Sequence, residues 1–206
     1  RRVLCKPTLT EQDAKGIIER RKLTDIESLL IFIRTNNSYK FAELSKIAEL
    51  ANAQRENNAA YYTRQDTCFT IVSKLPEAKE YTTLDILEPS VGVGNFLPTL
   101  IQKYADVPIV NIDVVDIDEN SIAILQALVE KINIPQNIHI RYIVADSLLY
   151  SFEKKYDIVI GNPPYMKITK DKKLLALYKE LAQNKDTNNI FAFFIEKMMS
   201  VGNVVS

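Results

Sequence analysis

From residue 84 onward, short and nearly unbroken runs of Val, Ile and Leu alternate with stretches whose apolar residues return every three or four positions. Four runs read as strands, Leu84–Leu87, Ile109–Asp116, Ile138–Ala145 and Tyr156–Ile160. Continuous rather than alternating apolar character is what a parallel sheet covered on both faces requires. Between the second and third runs, Ile122, Leu125, Val129 and Ile132 make an apolar helical stripe, and Asp118 is well placed to cap it. The alternation predicts a doubly wound α/β architecture, which binds ligands at the carboxyl ends of its strands.

The first third has a helical rhythm. Leu23–Thr35 opens with Thr24 and has Glu27 three residues later, a capping-box pattern before Leu29-Leu30-Ile31-Phe32-Ile33. A second helix is expected over Ser38–Arg55, where Phe41, Leu44, Ile47, Ala48 and Ala51 define one apolar face. The character changes after Asn57-Asn58, so residues 1–57 read as a helical N-terminal region and 58–206 as the α/β domain. Asn189–Ser200 reads as a helix, and residues 201–206 as a turn entering a strand. With Arg1 in the place of an initiator Met, the chain reads as part of a longer polypeptide.

Composition narrows the chemistry. Of 206 residues, 47% are hydrophobic and 25% charged, enough for one sizeable core. No apolar run approaches the roughly 20 residues of a membrane span and none resembles a signal peptide, so a cytoplasmic protein is expected. Cys5 and Cys68 have no metal-type spacing. His139, the only histidine, lies between Ile138 and Ile140 and reads as a sheet residue. Zinc, Cys/His and Ser/His/Asp chemistry are thereby weakened, and no metal is expected. The formal net charge is zero, so any surface for a polyanion must be local, as in the lysine-rich stretch Lys167, Lys170, Lys172, Lys173 and Lys179.

Three strand ends and the loop after the first carry candidate binding groups. The loop Glu88-Pro89-Ser90-Val91-Gly92-Val93-Gly94-Asn95-Phe96 has glycines where a backbone must turn sharply or approach a ligand. Asp116 ends the second strand, where a carboxylate can accept hydrogen bonds from two ribose hydroxyls. Asp146, followed by Ser147, ends the third, placed either for an adenine amine or as a helix cap. Glu88 at the loop mouth disfavours a pyrophosphate and suits a cation such as the ammonium of S-adenosylmethionine.

The fourth run enters Gly161-Asn162-Pro163-Pro164-Tyr165, the most specific signal in the chain. Two prolines hold the backbone extended and remove two amide donors. Asn162 adds a side-chain carbonyl beside them, and such a pair of acceptors can take both protons of an sp2 amino group without any strong base. Tyr165 offers a ring on which a planar substrate can stack.

These motifs resemble those of amino-directed DNA methyltransferases that modify adenine N6. The loop is similar to the family's acidic-Pro-x-x-Gly-x-Gly-x-Phe motif and Asn162–Tyr165 to its Asn/Asp-Pro-Pro-Tyr/Phe motif. Ala60-Tyr61-Tyr62-Thr63, with a helix expected over Thr67–Leu75, resembles the cofactor segment that precedes the sheet in the gamma arrangement. The resemblance implies a Rossmann-like methyltransferase fold with S-adenosyl-L-methionine as cofactor. It also implies a cofactor site made of Tyr61, Tyr62, Thr63, Glu88, Ser90, Gly92, Gly94, Asn95, Phe96, Asp116, Ile117, Asp146, Ser147 and Asn162. Thr63 and Glu88 would hold the methionine end, Asp116 the ribose, Ile117 would flank the adenine and Asp146 would bind its N6.

Asn162, Pro163, Pro164 and Tyr165 would then be catalytic, acting on an adenine flipped out of double-stranded DNA. A target-recognition domain outside the chain, and a restriction endonuclease, are the implied partners. Arg64 departs from the proline common in the family, and Val91 and Val93 from its smaller loop residues. Enzymes that methylate RNA or protein glutamine share the tetrad; Glu88-Pro89 and the upstream Tyr-Tyr-Thr favour the DNA type over them. A non-catalytic cofactor-binding module is the alternative from another class.

Overall fold

The computed structural model describes residues 9–55 and 63–206. They form two compact units, one from the described residues of segments 1–74, 92–105 and 118–135, the other from segments 75–91, 106–117 and 136–206.

The second unit holds a parallel five-stranded sheet. Its strands are β1 (Thr83–Glu88), β2 (Ile109–Asp116), β3 (Ile138–Val144), β4 (Tyr156–Val159) and β5 (Gly202–Val205), in the order β3-β2-β1-β4-β5. Register aligns Ile86 with Ile112 and Ile158, Val110 with Ile138, and Ile158 with Val204. The inner strands β1, β2 and β4 are the apolar runs of the sequence, and Leu84, Ile86, Val110, Ile112, Val114 and Ile158 are fully buried. β3 departs from the expectation of a strand covered on both faces: it is an edge strand, and His139, Arg141 and Val144 are exposed. Its apolar run therefore reflects packing on fewer neighbours than the sequence suggests.

One buried carboxylate within the sheet was not foreseen as a partner for anything. Asp113, 3% exposed, accepts two hydrogen bonds from the Arg141 guanidinium (2.9 and 2.6 Å) and one from the Tyr156 hydroxyl (2.6 Å). Burial pushes its carboxyl up, but these bonds outweigh burial and hold it below the usual carboxylate range. Two helices follow β4 in the chain, α7 (Lys172–Leu181) and α8 (Ile190–Val201). Asp171 caps α7 by accepting the Leu174 amide, and Lys172, Lys173 and Lys179 of the lysine-rich stretch lie on that helix. Met198 of α8 packs with Leu87, Val115, Tyr156 and Val159, while Phe193 and Phe194 pack with Leu148, Ile168 and Tyr178.

The first unit is helical: α1 (Glu11–Arg21), α2 (Ile26–Thr35), α3 (Phe41–Arg55), α4 (Gln65–Ser73), α5 (Leu97–Lys103) and α6 (Glu119–Val129). α1 has a reciprocal capping box, Thr10 accepting from the Asp13 amide and Asp13 from the Thr10 amide. It stops at Lys22, whose φ of 53° turns the chain left-handed. α2 corrects the sequence reading: Asp25, not Thr24, is the cap, accepting the Ser28 amide at 2.8 Å. An ionised acceptor one position nearer the helix satisfies the orphan amide better than the hydroxyl does. α4 spans Gln65–Ser73, two residues ahead of the expected Thr67–Leu75. Ala14, Ile17, Ile33, Leu44, Ile47, Ala48, Ile124 and Leu128 form one core cluster, so α6 shares its apolar stripe with the N-terminal helices. Each such Leu or Ile contributes about 1.5–3 kcal/mol through removal from water.

Candidate functional site

In the sheet unit, the carboxyl ends of four neighbouring strands bring Glu88, Asp116, Asp146 and Asn162 onto one edge. Glu88 closes β1. It is 2% exposed, and its Oε2 is buried without a hydrogen-bond partner. Burial and the neighbouring Asp116 carboxylate hold it well above the ordinary carboxylate range. A carboxylate in that position would be returned to its ionised form by a cation set against it. The ammonium of S-adenosylmethionine fits that requirement. Ser90 Oγ, also buried without a partner, stands two residues on. Asp116 ends β2, and the next residue, Ile117, is 69% exposed, an apolar side chain presented at a strand end.

Asp146 is already engaged. Its carboxylate accepts the Leu148 amide at 2.9 Å and the Tyr178 hydroxyl at 2.7 Å. The Tyr178 hydroxyl is pushed up by burial and by that carboxylate. The residues after Asp146 form a turn and not a helix, so Asp146 is not the helix cap weighed in the sequence, and an adenine amine would share its carboxylate with Tyr178. Ser147 donates to the Pro89 carbonyl at 2.5 Å, fixing the start of the glycine loop. Gly161 lies against the same place: a Cβ there would meet Pro89 Cδ and Ser90 Oγ at 3.5 Å.

The tetrad leaves β4 directly. The Gly161 amide donates to Ser206 O at 3.2 Å, and Asn162–Tyr165 then runs outside any helix or strand. Pro163 is buried and Tyr165 is 57% exposed. The Tyr165 hydroxyl donates to Asn162 Oδ1 at 2.8 Å. One face of its ring is stacked on Phe191, with centroids 5.0 Å apart and planes at 19°. Just beyond, Ile168 and Ile190 amides donate to Asn188 and Met166 carbonyls, an antiparallel clasp that brings the start of α8 to the tetrad. Phe191 had no signal beyond its place at the head of a predicted helix. Lys167, Lys170, Lys172 and Lys173 are exposed.

The rest of the glycine loop belongs to the helical unit. Gly92 and Gly94 have φ of +52° and +79°, conformations that other residues adopt at a cost. Phe96 is a core side chain, 2% exposed. Asn95 is 7% exposed, and its amide is bonded to Ser45 and Glu49 of α3, partners that nothing in the sequence pattern indicated. Asp118, as expected, caps α6, accepting the Asn120 and Ser121 amides at 3.0 Å. Thr63 is half-buried before α4, and Tyr61 and Tyr62 lie outside the described residues. Among the described residues no cluster of His, Cys, Asp or Glu could hold a metal, and no helix is long and apolar enough to cross a membrane.

Comparison with known proteins places this arrangement. Over 204 residues the chain is 27% identical to the type II methyltransferase M.VspI of a Vibrio species, covering 96% of this chain and 48% of that protein. The chain thus spans about half the length of that relative. A protein of Listeria monocytogenes described as a candidate class I S-adenosylmethionine-dependent methyltransferase superposes with a TM-score of 0.58, at 18% identity, over 95% of this chain and 58% of the other. The methyltransferase subunit of a type I restriction-modification system from Streptococcus thermophilus gives 0.54, at 16% identity, over 79% and 37%. Both share the Rossmann-like methyltransferase fold. The family model of the Eco57I restriction-modification methylases matches residues 28–204, and with the strand order and the tetrad already in place the chain belongs to that family.

Proposed function

We propose that this chain is the cofactor-binding and catalytic part of a DNA methyltransferase of the gamma arrangement, with residues 1–57 as a helical extension and 58–206 as the catalytic domain. It transfers a methyl group from S-adenosylmethionine to the N6 amino group of an adenine flipped out of double-stranded DNA, in a cytoplasmic restriction-modification system. A target-recognition domain outside these residues selects the sequence, and a restriction endonuclease is the functional partner. The observation that carries this reading is Asn162–Tyr165 at the end of an inner strand, with Asn162 Oδ1 already accepting a hydroxyl donor.

When bound, S-adenosylmethionine supplies an electrophilic methyl group. Glu88 would hold its methionine end, Asp116 its ribose, and Ile117 and Asp146 its adenine. Asn162 Oδ1 and the rigid carbonyl of the Pro-Pro segment accept the two N–H bonds of the target amine and favour its pyramidal, nucleophilic form. Tyr165 stacks on the base, contributing about 1–3 kcal/mol toward the cost of extruding it. The exposed lysines after the tetrad meet phosphates.

The test uses the full-length protein that contains this chain, duplex DNA and S-adenosylmethionine, followed by nuclease digestion and mass spectrometry. N6-methyladenine is the expected product. Asn162→Ala should lower its rate on the order of 100-fold or more, by analogy with removing one preorganised donor from an oxyanion site, while cofactor affinity changes little. Methylated cytosine, methylated RNA or methylated glutamine as the main product overturns the substrate assignment.

A further inference from the structure

Both polar atoms of the Asn95 side chain are engaged by one helix. Ser45 Oγ donates to its Oδ1 at 2.5 Å, and its Nδ2 donates to Glu49 Oε2 at 3.0 Å. Its backbone carbonyl accepts from Gln65 Nε2 of α4 at 3.1 Å. Ser45 is fully buried and Gln65 is 4% exposed. The same face of α3 continues to Asn52, which donates to Asp118 Oδ2 at 3.0 Å and Ser121 Oγ at 3.1 Å. Ser45, Glu49 and Asn52 follow one another at i, i+4 and i+7, so α3 carries a polar stripe at helical period, turned inward among an apolar cluster.

Helix packing alone does not call for such a stripe. Buried Ser and Asn and a half-buried Glu cost free energy unless their bonds are made, and an apolar stripe would pack here without that condition. What the stripe achieves is placement. Asn95 directly follows Gly94, whose φ of +79° is one of the two left-handed positions that shape the loop. Amides held from three directions fix that residue's rotation, and with it the two glycines before it.

We infer that Ser45, Glu49 and Gln65 are positioning residues for cofactor binding, holding the glycine loop in its binding shape through Asn95. The inference rests on the reading of Gly92–Phe96 as the S-adenosylmethionine loop. It gives the N-terminal helices a part in cofactor affinity, and it makes Asn95 a fastener of the loop and not a ligand contact.

The experiment is calorimetric titration of S-adenosylmethionine into the chain carrying Ser45→Ala, Glu49→Ala or Glu49→Gln, well below each variant's unfolding midpoint. Hydrogen exchange of the Gly92–Asn95 amides is read without cofactor. Ser45→Ala and Glu49→Ala should each weaken binding by about tenfold and speed loop exchange. Glu49→Gln, whose side-chain carbonyl can still accept from Asn95 Nδ2, should restore both. Ser45→Ala removes one hydroxyl, so it answers the question even where Glu49→Ala unfolds. Variants that bind like the wild type, with unchanged loop exchange, overturn the inference and leave the cofactor reading standing, even where their unfolding midpoints fall. A wild-type chain that takes up no S-adenosylmethionine overturns the cofactor reading itself, and the inference with it.

Discussion

Replacing Gly94 by Ala separates two penalties that the loop imposes. The residue has φ of +79°, a left-handed conformation that costs a residue with a β-carbon about 1–2 kcal/mol. The added Cβ would lie 2.3 Å from Leu125 Cδ1 and 3.2 Å from Leu97 Cδ1. Leu125 is fully buried in α6, so its methyl cannot swing aside freely, and overpacking of this kind costs about 1–3 kcal/mol. Gly94→Ala should therefore destabilise the chain by about 2–5 kcal/mol in urea denaturation. Gly92→Ala is the control: its φ is +52° but nothing lies within 4 Å of the new Cβ, so only the conformational penalty of about 1–2 kcal/mol applies. Leu125→Ala alone should cost about 2–5 kcal/mol as a buried cavity. The double variant should cost less than the sum by about 1–3 kcal/mol, because the new methyl enters the space vacated. Equal destabilisation by Gly94→Ala and Gly92→Ala, or strict additivity in the double variant, would refute the reasoning.

Tyr165→Phe keeps the stacking ring and removes one neutral hydrogen bond, so methylation should change by less than about tenfold, whereas Tyr165→Ala should raise the KM for DNA by on the order of 10- to 100-fold; steady-state kinetics on one duplex decide it. Asp116→Ala should weaken S-adenosylmethionine binding by about 1.5–3 kcal/mol in calorimetry, while Asp118→Ala should cost about 1 kcal/mol of stability as a lost helix cap and spare affinity; the reverse pattern sinks the ribose assignment. Burial pushes the Glu49 carboxyl from 4.5 up to about 7, so the folded chain holds that proton more tightly than the unfolded one. Its contribution, at most roughly 3 kcal/mol, is complete below the ordinary value and is lost as pH rises through about 7. Glu49→Gln should flatten that part of the stability profile, and identical wild-type and variant profiles would contradict the assignment.

What could be read from the sequence were features written in consecutive residues. The inner strands announced themselves because burial on both faces leaves an unbroken apolar run, and the tetrad because Asn162 to Tyr165 carry their geometry in their own covalent structure. Partners far apart in the chain could not be read. Asn95 and Ser45 are 50 positions apart, and Asp113 and Tyr156 are 43 apart; neither pair has a local pattern to betray it. Strand order is likewise absent from hydrophobicity, so nothing in its apolar run marked β3 as an edge strand. Thr24 and Asp25 are both competent caps one position apart, and only the position of the Ser28 amide decides between them.

The bond from the Tyr165 hydroxyl to Asn162 Oδ1 bears on how a planar amine would dock there. An amide oxygen carries two lone pairs, so holding the phenol does not by itself close Asn162 Oδ1 to a further donor. The phenol instead ties the Asn162 side chain to the ring that stacks on Phe191, so acceptor and stacking surface turn as one piece. A planar amine would meet its hydrogen-bond partner and its stacking face already set at a fixed mutual angle.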